Sequence, residues 1–186
     1  MAQRSDAEQN RARILDVARE ELSAATDVSL HAIAKRAGVG QGTLYRHFPS
    51  REALLMAVYR EDVTGLVDAA GTLLTTHDPM AALRLWLDRL AAFGRVKHGL
   101  ASVLHAATYA DLSTEHYQPV TAAIDQLLSA GRDAGVVRDD VEAGDLLLLV
   151  AFLWRGDRGE EWERRSRHLL EIVLDGLRPA HACGCG

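Results

Sequence analysis

The chain has 186 residues, of which 48% are apolar and 25% are charged, and its formal net charge is −5. This composition is that of an ordinary globular protein and argues against a disordered or fibrous chain. The longest apolar run, Leu146 to Trp154, is about half of the ~20 residues that cross a bilayer. The polar first ten residues lack the apolar centre of a signal peptide. We therefore expect a cytoplasmic protein that does not associate with a membrane.

The charge is distributed unevenly along the chain. Residues 1–60 contain nine basic and seven acidic side chains, whereas residues 61–186 contain twelve basic and nineteen acidic ones. A mildly basic N-terminal part on an acidic body is typical of a DNA-binding domain carried by a domain that does not bind DNA.

Residues with high helix propensity recur throughout, so the elements are expected to be helices. The first predicted helix covers Arg11–Ala24, where apolar residues recur at spacings of three and four. Ser29 is a favourable N-cap for a second helix over Leu30–Ala37. Gly38 then stands where a helix end needs a positive φ. The apolar face of the first helix consists of Ile14, Leu15, Ala18 and Leu22.

A third short helix is predicted over Gln41–His47, and Pro49 then interrupts the chain. Ser50 is the expected N-cap of a long fourth helix over Arg51–Leu74, with the acidic Glu52 in its first turn. Further helices are predicted over residues 79–96, 98–109, 116–135, 141–156 and 160–177.

These elements predict an all-α protein in three parts. An N-terminal three-helix helix-turn-helix domain is expected over residues 1–55, and a C-terminal helical domain for effector binding and dimerisation over residues 56–178. Residues 179–186 are expected to form a flexible tail.

The segment from Ser29 to Phe48 fits the requirements of a helix-turn-helix. Two short helices that cross steeply need a small residue where they approach and a glycine in the turn. Ala34 meets the first requirement and Gly38 the second. The apolar seam of the pair is formed by Ile33, Ala37, Val39 and Leu44.

Once this seam is assigned, the remaining side chains of the third helix face outwards, and none of them is acidic. Glutamine suits adenine, arginine suits guanine and the threonine methyl suits thymine, so we expect this face to enter the major groove. Gly42 would let the backbone approach a phosphate, and Ser29 and Arg51 stand at helix starts, where free amides attract phosphate. The alternative is an amphipathic helix pair that never meets DNA. The groove-facing residues are Gln41, Thr43, Tyr45, Arg46 and His47.

Six short motifs of this part of the chain carry a resemblance to a known protein family: Ile14, Leu15 and Ala18; Ile33-Ala34; Ala37-Gly38-Val39; Gly42-Thr43-Leu44-Tyr45; His47-Phe48; and Arg51-Glu52-Ala53-Leu54. On these motifs, residues 11–59 resemble the N-terminal domain of the TetR family of transcriptional regulators. The resemblance implies that Gln41, Gly42, Thr43, Tyr45 and His47 contact DNA and that Ser29 and Arg51 hold phosphates. Gly40 departs from the serine-type cap that is frequent in the family, so we expect a slightly more mobile third helix.

The last two predicted helices are candidates for a dimer interface, because their apolar residues recur at spacings of three and four. Two such helices per subunit can form a four-helix bundle across a two-fold axis. The alternative is that these faces pack inside one subunit. The candidate residues are Leu146, Val150, Leu153, Trp162, Leu169, Leu170, Val173 and Leu177.

Aromatic and histidine side chains of the body are candidates for lining a small-molecule pocket, since large rings with a few polar tips suit such a cavity. The alternative is that they form the core of the helical domain. The candidates are Trp86, Leu90, Phe93, His105, Tyr109, Tyr117 and Trp154.

We therefore predict a regulator that binds an inverted repeat in double-stranded DNA as a homodimer and represses until an unidentified small-molecule effector releases it. A regulator without such an effector remains an alternative. A further alternative is an enzyme, and only His98, His105 and His116 give any indication of one.

No nucleophile–base pair with a third partner occurs, so no enzymatic activity and no cofactor are expected. His181, Cys183 and Cys185 offer three ligands on a loose tail, whereas structural zinc needs four held in a fold, so no metal is expected.

Overall fold

The computed structural model describes the backbone of residues 2–24, 29–101, 106–154 and 159–179, and the side chains of residues 6–21, 29–93, 116–153 and 159–179. These residues form helices and contain no strand, which confirms the all-α prediction. None of the described helices is long and apolar enough to span a membrane. The helices are α1 (Ala2–Ala24), α2 (Leu30–Arg36), α3 (Gln41–His47), α4 (Arg51–Thr76), α5 (Pro79–Ala101), α6 (Ala106–Asp133), α7 (Ala143–Leu149), a 3₁₀ turn (Ala151–Trp154) and α8 (Glu160–Gly176).

The chain divides into two compact units. The first unit comprises residues 1–62 and 95–111, and the second comprises residues 63–94 and 112–186. The divisions fall inside α4, α5 and α6, so each of these helices contributes residues to both units.

The first unit has its core where α1, α2 and α3 meet. Ser29 caps α2, since its Oγ accepts a hydrogen bond from the Ala32 N–H at 3.2 Å. Gly38 has a φ of +66°, a conformation that side chains with a Cβ rarely adopt, and it turns the chain from α2 towards α3. Both features agree with the prediction. The buried apolar residues are Ile14, Leu15, Ala18, Ile33, Ala34, Ala37, Leu44 and Phe48, whereas the side chain of Leu22 lies outside the described residues.

The second unit is built around Trp86, which is fully buried and donates its Nε1–H to the Leu66 carbonyl oxygen at 2.8 Å. A tight turn follows α6, in which Gly135 has a φ of +67°. Gly131 is buried against the turn, and a Cβ added there would come within 2.4 Å of Val137 Cγ2. Other large buried side chains of this unit are Leu83, Leu87, Leu90, Ile124, Leu127 and Leu128.

Several predicted helix limits were wrong. Helix α1 begins at Ala2 and not at Arg11, because the polar residues before Arg11 have good helix propensity although they lack an apolar face. The predicted break at residue 97 and the separate helices over 98–109 and 116–135 are replaced by α5 and a continuous α6 that contains Pro119. Each added helical residue except Pro119, which has no N–H, gains a backbone hydrogen bond, and this gain carries α6 through a polar segment without glycine.

Candidate nucleic-acid interface

Helix α3 presents an exposed polar face. The buried side chains of the helix determine which face is exposed. Leu44 and the following Phe48 are buried, which orients the opposite side of the helix towards solvent. Tyr45 is 51% exposed, an unusual degree for an aromatic side chain. The structure thus brings together the predicted groove residues on one helix: Gln41, Gly42, Tyr45 and Arg46 are exposed, and Thr43 and His47 are partly exposed.

Some of these side chains are already held by neighbours. The Arg46 guanidinium folds back along α3, since its Nε donates to the Gly42 carbonyl oxygen at 3.2 Å and its Nη2 to Thr43 Oγ1 at 3.0 Å. Gln41 Nε2 lies in contact with Nδ1 of His31 on α2. His31 was not predicted, because nothing in a linear pattern pairs residues ten positions apart across a turn.

The starts of α2, α3 and α4 differ in how they are capped. Gly40 caps α3 without a side-chain hydrogen bond, as its departure from a serine-type cap implies. Ser50 caps α4 as predicted, with its Oγ accepting from the Ala53 N–H at 3.1 Å. The pKa of Glu52 in this first turn is lowered by hydrogen bonds from a backbone amide and from the Ser50 hydroxyl. The exposed Ser29 and the partly exposed Arg51 stand at the starts of their helices.

Ion pairs neutralise acidic side chains of the first unit away from α3. Arg11 binds Glu61 at 2.7 Å, and its guanidinium carbon lies 5.6 Å from the centre of the Phe48 ring. Arg36 pairs with Glu20 at 2.7 Å and also with Glu21.

The most buried of these pairs joins Arg19 Nε to Asp62 Oδ1 at 2.6 Å, with the Asp62 side chain only 14% exposed. Burial raises the pKa of Asp62, and this effect exceeds the opposing one of Arg19. Arg11, Arg19 and Arg36 are occupied in these pairs. Arg46 and Arg51 are the arginines of α3 and of the start of α4.

The side chains of only four of the seven predicted pocket residues are described. Trp86, Leu90 and Phe93 are core residues, whereas Tyr117 is half exposed. His105 and the side chains of Tyr109 and Trp154 lie outside the described residues.

A pocket of about 100 Å³ lies between α5 and α8, which is small beside the roughly 300–1,000 Å³ of typical ligand sites. The ion pair between Arg84 and Glu171 borders it. Its other lining residues are Leu87, Asp88, Arg167, Leu170 and Leu174, none of which is a predicted pocket residue.

The predicted dimer residues fall into two groups. Leu146, Val150, Leu153, Leu170 and Leu177 are buried within the subunit, while Trp162, Leu169 and Val173 are partly exposed. Their neighbours Leu148, Leu149 and Ile172 are 77%, 54% and 55% exposed. An exposed apolar surface is therefore present on both α7 and α8, formed by different residues from most of those predicted.

The remaining candidate residues are the histidines of the body and the histidine and cysteines of the tail. His116 is partly exposed, and the side chains of His98 and His105 lie outside the described residues, as do His181, Cys183 and Cys185. Within the described part of the chain, no group of three or more His, Cys, Asp or Glu side chains is arranged to hold a metal ion.

Two family matches cover most of the chain. Residues 14–58 match the bacterial regulatory proteins of the tetR family, and residues 78–179 match the C-terminal domain described as transcriptional regulator SbtR-like.

Solved structures resemble the chain over nearly its full length. A TetR transcriptional regulator of Streptomyces coelicolor is 35% identical, with 92% of this chain and 99% of that chain covered and a TM-score of 0.81. A TetR transcription regulatory protein of Mycobacterium vanbaalenii is 36% identical over 95% of this chain and 99% of that chain, with a TM-score of 0.73.

Curated relatives match over a shorter stretch. An HTH-type transcriptional regulator of Staphylococcus aureus is 39% identical over 62 residues, which are 32% of this chain and 34% of the relative. A second from the same species is 31% identical over 93 residues, 48% of this chain and 50% of the relative. The chain thus spans a third to a half of the length of these curated relatives.

Proposed function

This chain belongs to the TetR family of bacterial regulatory proteins, and we propose on that premise that it is a sequence-specific repressor that binds DNA as a homodimer and is released by a small molecule. Each subunit places α3 in a major groove of an inverted-repeat operator. The two copies of α3 then sit about one helical turn, roughly 34–36 Å, or a multiple of it apart. Residues 1–55 form the DNA-binding domain and residues 56–178 the effector-binding and dimerisation domain. The protein acts in the cytoplasm, where bacterial DNA lies.

The exposed face of α3 is the observation that carries the proposal. Gln41, Tyr45 and Arg46 are exposed, and no acidic residue lies between Gln41 and Phe48. An exposed tyrosine and arginine on a helix anchored by Leu44 suit stacking and hydrogen bonding in a groove. Arg51 adds a cation at the start of α4, suited to a phosphate.

The dimer proposal rests on the exposed apolar side chains of α7 and α8. Leu148, Leu149 and Ile172 would leave water when two subunits meet, and the partly exposed Trp162, Leu169 and Val173 extend that surface. An inverted repeat has two-fold symmetry, and a two-fold interface uses the same surface of both subunits. We therefore place this apolar surface on the symmetry axis.

The effector proposal rests on α4, because this helix contributes residues to both units. A ligand of the second unit acts by binding one arrangement of the dimer more tightly than the other, and thereby changes the separation of the two α3 helices. The regulator without an effector is the second candidate. The full burial of Trp86 and Leu90 favours this second candidate, because the two side chains then fill a core and do not line a cavity.

Selection of the purified protein against random duplex DNA at near-physiological salt tests the proposal, with Tyr45→Ala as the matched control. We expect the wild type to enrich an inverted repeat and Tyr45→Ala to enrich nothing, with its helical content unchanged. A folded Tyr45→Ala protein that binds the selected repeat with wild-type affinity would refute the assignment of α3. A small molecule that binds the wild type without changing its operator affinity would refute the role of that ligand as effector.

A further inference from the structure

A network of ion pairs joins α1 to α4 where α4 leaves the first unit. Arg19 donates from Nε to Asp62 Oδ1 at 2.6 Å and from Nη1 to Asp16 Oδ1 at 2.9 Å. Its Nη2 lies 3.6 Å from Glu61 Oε2, and Arg11 binds Glu61 at 2.7 Å. We propose that this network, the α1–α4 clamp, makes Arg19 a positioning residue that sets which half-site spacing the dimer accepts.

The apolar packing of α4 in the first unit ends just before the clamp. Val58 and Tyr59 are buried, whereas residues 60–62 are exposed or partly exposed. The next buried residue, Val63, already belongs to the second unit. Apolar burial is non-directional, whereas a guanidinium binds a carboxylate in a defined geometry. The clamp therefore constrains the direction of α4 at Asp62 more than the apolar core does.

Arg11 connects the clamp to α3. Its guanidinium carbon lies 5.6 Å from the centre of the Phe48 ring, which is within the ~6 Å range of a cation–π interaction. Phe48 is buried and directly follows α3. Helix α1 therefore contacts both the anchor of α3 and the last part of α4 in this unit. The proposal rests on the proposed function, in which a change in the angle between α3 and α4 changes the separation of the two α3 helices of the dimer.

Stability alone does not account for the most buried pair of the clamp. Burial raises the pKa of Asp62 although Arg19 opposes this effect. Desolvation therefore costs the Asp62 carboxylate more than its pair with Arg19 returns. A buried pair of this kind is weak evidence for stability, and the best-attested use of such pairs is to specify one arrangement of the elements that they join. This agrees with a role in fixing the direction of α4.

The test compares the operator found by selection with two versions whose half-sites are one base pair closer or farther apart. One base pair moves a half-site by about 3.4 Å and turns it by roughly 35° about the DNA axis. We expect the wild type to prefer the selected spacing and Arg19→Ala to lower this preference about four- to 25-fold. One partly exposed ion pair is worth about two- to fivefold, and both subunits lose it. Asp62→Asn should change the preference in the same direction.

Arg36→Ala is the matched control. It removes the same charge from the first unit, but the ion pairs of Arg36 with Glu20 and Glu21 join α2 to α1 and not to α4. This variant should keep the wild-type preference among the three spacings. On a duplex with a single half-site, where spacing has no effect, Arg19→Ala and Arg36→Ala should bind equally well.

The outcomes separate this proposal from the one beneath it. If the wild type enriches no inverted repeat, the proposed function fails and the role of Arg19 fails with it. If the wild type prefers one spacing and Arg19→Ala keeps that preference unchanged, the role of Arg19 is overturned alone. An equal loss of affinity on all three spacings and on the single half-site would also overturn it. Should Arg19→Ala fail to fold, as judged by its melting temperature, an unchanged preference in Asp62→Asn would overturn the proposal.

Discussion

Replacing Gly131 by alanine should destabilise the second unit, although alanine is the better helix former. In the last turn of α6 the exchange gains up to roughly 0.5–1 kcal/mol from backbone entropy. The new Cβ would however lie 2.4 Å from Val137 Cγ2 and 3.0 Å from Val137 Cβ. Val137 is buried and β-branched, so it cannot rotate away freely. Overpacking of this kind costs about 1–3 kcal/mol, so we expect a net loss of up to about 2 kcal/mol.

Gly65 provides a matched control inside α4. Nothing among the described residues lies within 4 Å of a Cβ built there, so Gly65→Ala should gain the full helix term of roughly 0.5–1 kcal/mol. Urea unfolding followed by circular dichroism measures both variants. In a double-mutant cycle, Val137→Ala should make Gly131→Ala less costly. If Gly131→Ala stabilises the protein as much as Gly65→Ala does, the close approach of Val137 is not present in solution.

Three further predictions concern DNA binding, pH and assembly. Arg51→Ala should weaken binding to all duplexes alike and reduce the slope of log K against log salt by about one, and a sequence-dependent loss in fluorescence anisotropy titrations would contradict this. Burial raises the pKa of Asp62 above its unfolded-state value of about 3.9. The free energy of unfolding of the wild type, relative to that of Asp62→Asn, should therefore be greatest below about pH 3.9 and fall as the pH rises through the folded-state pKa. Equal pH profiles of the two proteins in urea unfolding would rule this out. Leu148→Glu should produce monomers in sedimentation experiments while leaving the subunit folded, and a dimer that persists would move the interface elsewhere.

The helix-turn-helix was predictable because local chemistry specifies it. Ser29 caps α2, Gly38 supplies the positive φ and Leu44 is buried, each as the sequence indicates. The cap and the turn depend on residues within one turn of the chain, whereas the burial of Leu44 follows from the apolar seam of the helix pair. The limits of α3 are therefore those that were predicted, Gln41–His47.

The exposed side of α7 was harder to predict, for a physical reason. Helix α7 carries four consecutive leucines followed by valine, so every side of it is apolar and periodicity cannot show which side faces the core. The structure buries Leu146 and Val150 and exposes Leu148 and Leu149. The pairing of His31 with Gln41 likewise requires the crossing of two helices, which no sequence period encodes.

The anchoring of α3 by Leu44 and Phe48 has a consequence for how such proteins acquire new operators. The outward positions of α3 contribute little to the core, so they can be exchanged together without loss of folding. A combinatorial library that varies Gln41, Thr43, Tyr45 and Arg46 should thus yield folded proteins that bind other DNA sequences.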